Sequence, residues 1–179
     1  MKITSKCRDW IKQEHPNLRI KRTAIVGTLQ FAASYEKRRD LFYIWDIDID
    51  PHTANFIKDC FTIIINISEG GLDENTRLPK VYEIGGRTKS LIREKNIPYR
   101  ELHINLDKDG SCCLTALRMH PEQITLREFI EELVTPFFYR LSYVEKYGLK
   151  KAKASLWPER PHGNDGRLEA LQEMGIFDI

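Results

Sequence analysis

The chain has 179 residues and a net charge of +2, from 28 Lys and Arg against 26 Asp and Glu, and 41% of its residues are apolar. That length and apolar fraction suit one compact domain and exclude large-scale disorder. The near balance of charge argues against neutralising nucleic-acid phosphates as the main task, and no apolar run is long enough to span a bilayer.

Residues 3–14 read as a short helix, with Ile3, Cys7, Trp10 and Ile11 on one face and Pro16 as its stop. Residues 18–35 read as extended, with Ile25, Val26, Leu29 and Phe31 around Gly27. After a charged turn at 36–40, Leu41, Tyr43, Trp45, Ile47 and Ile49 alternate as in a half-buried strand. Residues 50–52 form a turn, and 61–67 are the most apolar strand, expected at the centre of its sheet. A loop at 70–77 leads to a short extended piece at 78–84, broken by Gly85 and Gly86, and then to a helical insert at 88–95. Residues 98–111 read as irregular.

A second strong helix starts near Thr125, which has capping-box spacing to Glu128. Leu126, Ile130, Leu133, Phe137, Leu141 and Val144 keep helical spacing, and Pro136 should kink or divide that helix. A polar loop with Trp157, Pro158, Pro161 and His162 follows, and a short helix is expected near 166–174. Strands flanked by helices point to an α+β fold with an antiparallel sheet of about four strands in a meander.

The basic stretches Lys21 with Arg22, 37–39, and Lys150 with Lys151 and Lys153 lack interleaved aromatics and read as solvated faces. No nucleic-acid or membrane partner is expected. Residues 1–6 lead into no apolar signal core, so a cytoplasmic protein is expected. The four cysteines, Cys7, Cys60, Cys112 and Cys113, form no paired Cys-x-x-Cys knuckles, and adjacent cysteines suit zinc poorly. Neither a metal nor a cofactor is expected.

The stretch with chemical content runs His103-Ile104-Asn105, then Asp109-Gly110, then Cys112-Cys113-Leu114. It resembles the segment of ubiquitin-conjugating enzymes in which a His-Pro-Asn triplet precedes a turn with Asn-Gly or Asp-Gly and the active Cys-Leu. The spacing from His103 to Cys113 is that of the family, and Asn105 falls on its Asn. Pro79-Lys80-Val81-Tyr82 resembles the family's Pro-Pro-x-Val-x-Phe element, and Ile124-Thr125-Leu126 its post-cysteine helix. The chain departs in carrying Ile104 for the Pro of the triplet, a single Pro79, and a longer path from Val81 to His103.

The resemblance implies a single domain of ubiquitin-conjugating fold over 1–179, with an insertion around 85–101 and a C-terminal extension at 148–179. It also implies a thioester on Cys113. The bacterial branch, to which the chain looks closest, is associated with antiphage defence. There the cargo is the C-terminus of a ubiquitin-like protein or of a cyclic-oligonucleotide synthase of the CD-NTase type. The chain has no adenylation signature or ATP-binding Gly-rich loop, so a separate activating enzyme or the synthase complex must supply activated cargo.

A thiolate is both a good nucleophile and a good leaving group, so Cys113 can accept an acyl group and pass it to an amine. Adjacent side chains of an extended segment point to opposite faces, so Cys112 is expected in the core when Cys113 faces the cleft. Asn105 has two readings: its amide donates to the oxyanion of the transfer step, or it pins a nearby turn. His103 is expected to brace the loop rather than act as a base. His162, Asp109 and Tyr82 are accessory candidates near the acceptor amine, set against an exposed loop His, a turn residue and ordinary packing. The alternatives to the enzyme are a catalytically silent adaptor of the same fold and a cysteine hydrolase. No papain-like or caspase-like signature surrounds Cys113.

Overall fold

The computed structural model describes residues 3–105, 109–115 and 124–157. Helix α1 (Ser5–Glu14) begins at Thr4, whose Oγ1 accepts the Cys7 N–H at 3.3 Å, and ends where the His15 N–H reaches Ile11 O. Its buried residue is Ile11, and Ile3, Cys7 and Trp10 pack beside it, as the spacing predicts.

The sheet has five antiparallel strands, β1 (Leu18–Ile20), β2 (Ala24–Glu36), β3 (Leu41–Trp45), β4 (Ile57–Asn66) and β5 (Lys80–Glu83). The expected fold class, α+β with an antiparallel sheet, is what the chain adopts, but the sheet is not a four-strand meander. Long β2 carries β1 and then β3 along one edge and β4 along the other, so β3 and β4 are neighbours in sequence but not in the sheet.

β3 also stops at Trp45, although the apolar alternation runs on to Ile49. Asp46 ends it by accepting the Asp48 N–H on its side chain and the Ile49 N–H on its carbonyl, both at 3.0 Å. Gly27 sits at φ 146° where β2 crosses Asn17, and a Cβ there would fall 2.0 Å from Asn17 O.

Central β4 buries Phe61, Ile63 and Ile65 on one face. That face packs on helix α4 (Thr135–Tyr147), with the Phe61 and Phe138 rings 4.7 Å apart. Each such fully buried side chain contributes roughly 1.5–3 kcal/mol.

After β5, helix α2 (Arg87–Glu94) forms where the insert was expected, and the stretch read as irregular contains a 3₁₀ turn at Tyr99–Leu102. Helix α3 (Leu126–Glu128) starts with the predicted capping box: Thr125 Oγ1 accepts the Glu128 N–H, and Glu128 Oε2 accepts the Thr125 N–H at 2.7 Å. Pro136 does divide the long helix. Because it has no N–H and its ring crowds the carbonyl one turn back, the preceding residues Phe129–Val134 widen into a π-helix before α4 begins. Helix α5 (Leu149–Ser155) follows Gly148. The helix expected near 166–174 lies outside the described residues.

Candidate active site

Residues 103–105 and 111–113 form a narrow ribbon laid on the outer edge of β5. Asn105 N–H donates to Ser111 O at 2.9 Å, Cys113 N–H to His103 O at 2.8 Å, and Ile104 stands opposite Cys112 between those two bonds. The Cys112 N–H points the other way and donates to Val81 O at 2.7 Å, which ties the ribbon to the sheet.

The two adjacent cysteines therefore part. Cys112 is 7% exposed and packs in the core with Ile104, while Cys113 is half-buried. Burial pushes the Cys112 thiol up, and the nearby Glu83 carboxylate adds to the effect, so it stays protonated and inert as a nucleophile. None of the four cysteines is in a disulfide.

His103 has left-handed backbone angles, φ 55° and ψ 46°, and ends the Tyr99–Leu102 turn. That conformation is uncommon for a side-chain-bearing residue, though His is among the types that accept it. It reverses the chain so that Ile104 can enter the core. His103 thus shapes the ribbon, and it also lines the groove onto which Cys113 opens.

Asn105 carries the turn. Its carbonyl accepts the N–H groups of Asp109 and Gly110 at 3.1 and 2.9 Å, and its side-chain amide donates to Ser111 Oγ at 3.2 Å. It is not among the residues lining the groove. Of its two readings, this geometry displays the pinning one.

Asp109 and Tyr82 belong to the same brace. Lys80 Nζ lies 2.7 Å from Asp109 Oδ2, the Tyr82 hydroxyl donates to Asp109 Oδ2 at 3.5 Å, and Ser111 N–H donates to Asp109 Oδ1 at 3.0 Å. Burial alone would raise the Asp109 carboxyl, but the bonds from Lys80 and Ser111 outweigh it and hold it down at about 2. Burial and the Asp109 charge push the Tyr82 hydroxyl up. His162 lies outside the described residues.

The groove beside Cys113 has a volume of about 330 Å³. One wall is the β2–β3 hairpin, through Tyr35, Asp40 and Phe42, and another is the π-helical stretch and the start of α4, through Glu132, Leu133, Pro136 and Phe137. Trp157 closes one side, and Arg140 of α4 lines it with only 6% of its surface exposed. Arg140 Nη1 donates to Glu101 O at 3.0 Å. Burial pulls its guanidinium down to about 10, against the raising pull of the Glu101 carboxylate.

The sequence reading did not place Asp40, Glu132, Arg140 or Trp157 at the site. Two signals were present: an Arg inside the apolar run 137–144, and a Pro that forces a widened turn. π-turns inside helices often mark functional sites.

Among the described residues no group of three or more His, Cys, Asp or Glu side chains is placed to hold a metal ion, and no helix is long and apolar enough to cross a membrane. Comparison with known family models, with curated proteins and with solved structures finds no match to this chain.

Proposed function

We propose that the protein is an acyl-carrier enzyme of the ubiquitin-conjugating type. It takes the C-terminus of a ubiquitin-like protein, or of a cyclic-oligonucleotide synthase, as a thioester on Cys113 and transfers it to an amine in bacterial antiphage defence. The observation that carries this reading is the half-buried Cys113 opening onto a groove from a ribbon with the His-x-Asn and Asp-Gly spacing, while its neighbour Cys112 is turned into the core.

In the first step the Cys113 thiolate attacks the activated C-terminal carbonyl and expels the activating group. In the second, an amine attacks the thioester carbon, an amide forms, and the Cys113 thiolate leaves while the amine's extra proton passes to solvent. Asn105 and Asp109 keep the loop in shape for both steps. Asn105 becomes an oxyanion donor when its side chain swings away from Ser111 Oγ, which exchanges one neutral hydrogen bond for one to a developing charge.

The test is incubation of the full chain with activated cargo. A cargo adduct that DTT discharges is expected, and Cys113→Ser should lose that DTT-sensitive species. A DTT-sensitive adduct persisting in Cys113→Ser overturns the assignment. Undiminished conjugation by Cys113→Ala would make the chain a binding adaptor instead.

A further inference from the structure

We infer that the surface shared by the β2–β3 turn and helix α5 docks an acidic protein segment, a run of Asp and Glu side chains on a partner. The inference stands on two basic stretches and does not need Cys113 to carry an acyl group. Only its use in bringing a partner to Cys113 rests on the function proposed above.

Each basic stretch, taken alone, reads as a solvated face. Folding joins two of the three. Lys37 reaches out of the β2–β3 turn and donates from Nζ to Ala154 O at 2.6 Å, in the last turn of α5. Lys150 and Lys151 start within about 6 Å of Ala154 along that helix, at about 1.5 Å of rise per residue. Lys37, Arg38, Arg39, Lys150, Lys151 and Lys153 are all exposed and together form one surface. The third stretch, Lys21 with Arg22, precedes β2, whose 13 residues put it about 40 Å from the turn at the strand's other end.

The joined surface carries an excess of positive charge. Its acids are answered: Glu36 pairs with Arg39 at 3.5 Å, Glu101 pairs with Lys153 at 2.5 Å, and Asp40 accepts the Tyr35 hydroxyl on the groove side. Lys37, Arg38, Lys150 and Lys151 pair with no carboxylate among the described residues. The bond from Lys37 to a neutral carbonyl fixes its place without cancelling its charge. Like charges held close repel one another, and carboxylates on a partner relieve that repulsion.

A protein partner fits better than a nucleic acid. No residue at 36–40 or 149–155 is aromatic, so the surface offers no ring on which a base could stack. A net charge of +2 on the whole chain also gives little pull on a polyphosphate. Ala154 lies three residues before Trp157, which closes one side of the groove, so a partner docked here stands beside the mouth onto which Cys113 opens.

Fluorescence anisotropy of labelled octaglutamate with the full chain tests the inference. Saturable binding is expected at about 0.1 M salt and should vanish at about 1 M, where the screening length shrinks from about 10 Å to about 3 Å. Lys150→Glu with Lys151→Glu should weaken binding about tenfold and Arg38→Glu about threefold, as for exposed charge contacts acting together. Glu in the first turn of α5 suits the helix dipole, so the double variant keeps its fold, and its melting temperature checks that. Arg38→Glu lies outside the helix and repeats the test independently. Lys21→Glu with Arg22→Glu makes the same change in net charge at the far end of β2 and should leave binding within about twofold of wild type, since that distance exceeds the screening length.

Equal weakening by the two double variants would reduce the effect to net charge and overturn the surface, as would binding that survives at high salt or never saturates. Tighter binding of an oligothymidylate of equal charge overturns the acidic-protein partner and assigns a nucleic acid. Octaglutamate binding without a thioester adduct removes the acyl-carrier reading and keeps the surface, whereas an adduct without octaglutamate binding does the opposite.

Discussion

Two polar clusters in this molecule look alike as lists of residues and behave as opposites. In one, Arg87 of α2 bonds both oxygens of Asp59 at 2.9 and 2.8 Å, the Cys60 carbonyl at 2.7 Å, and Glu145 of α4. Ser142 donates to Asp59 at 2.5 Å, and the guanidinium lies 4.0 Å over the Phe61 ring. Every charge there is answered by a fixed partner. In the other, the groove at Cys113, Asp40 and Glu132 face open volume and pair with no cation among the described residues.

Both clusters hold a strongly perturbed arginine, and beside the groove burial pulls the Arg140 guanidinium down to about 10. Arg87 is held well above its ordinary range because its bonds to Asp59 and Glu145 outweigh the cost of burial. Yet the first cluster is a knot that fastens α2 to β4 and α4. Perturbed charge marks a functional site only where space for a ligand accompanies it.

Breaking the knot should have the largest effect on stability. Arg87→Met leaves the Asp59 and Glu145 carboxylates turned toward each other without their common cation. The loss expected is about 2–3 kcal/mol, below the roughly 3–5 kcal/mol of fully buried pairs, because the guanidinium keeps 30% of its surface in water. Chemical denaturation measures it. Alkylation of Cys113 in the folded protein should stay at the wild-type rate, and a large change would show that knot and groove are coupled.

Removing the helix cap comes next. Thr125→Ala deletes the acceptor for the Glu128 N–H at the start of the long helix, and about 1 kcal/mol should be lost. Unlike the knot, this helix feeds the groove directly through Glu132 and Leu133. The same variant should therefore also loosen Cys113, read as faster alkylation, and an unchanged alkylation rate would separate cap from groove.

The capping box was legible because it is local: two residues three apart, with a known bond pattern. The same holds for the parting of Cys112 and Cys113, which follows from the alternation of an extended chain. Central β4 was legible from its apolar run. The groove was not, because Tyr35 and Asp40 meet Glu132 and Trp157 only after β2 has recruited β3, and no spacing rule encodes that meeting. The knot was hidden for the same reason, since Asp59, Arg87 and Glu145 come from three distant elements. The second edge of β2 was missed because an alternating strand does not announce which neighbour it will pair with.

Asp109 offers a pH-resolved comparison between brace and groove. Its folded-state pKa, about 2, lies below the value of about 3.9 expected for an unfolded Asp, so its bonds to Lys80 and Ser111 stabilise the fold fully above the unfolded value. That contribution disappears as pH falls from the unfolded value through the folded one. Asp109→Asn should melt below wild type near neutral pH, and the two melting curves should converge as the solution is acidified toward pH 2. A constant gap down to that pH would show that the side chain acts through shape and not through charge.

The smallest stability effect belongs to the groove itself. Glu132 is exposed on the π-helical stretch, and Glu132→Gln keeps its size and its helical preference. A surface change away from fixed partners should alter stability by no more than about 0.5 kcal/mol, within the usual scatter of such substitutions. If Glu132 were instead answered by a partner, as Arg87 is in the knot, the same substitution would lower the melting temperature by several degrees, since about 1 kcal/mol corresponds to a few degrees in a domain of this size. A melting temperature unchanged in Glu132→Gln would place that carboxylate among the groove's side chains without a fixed partner. A clear destabilisation would move it into the class of the knot.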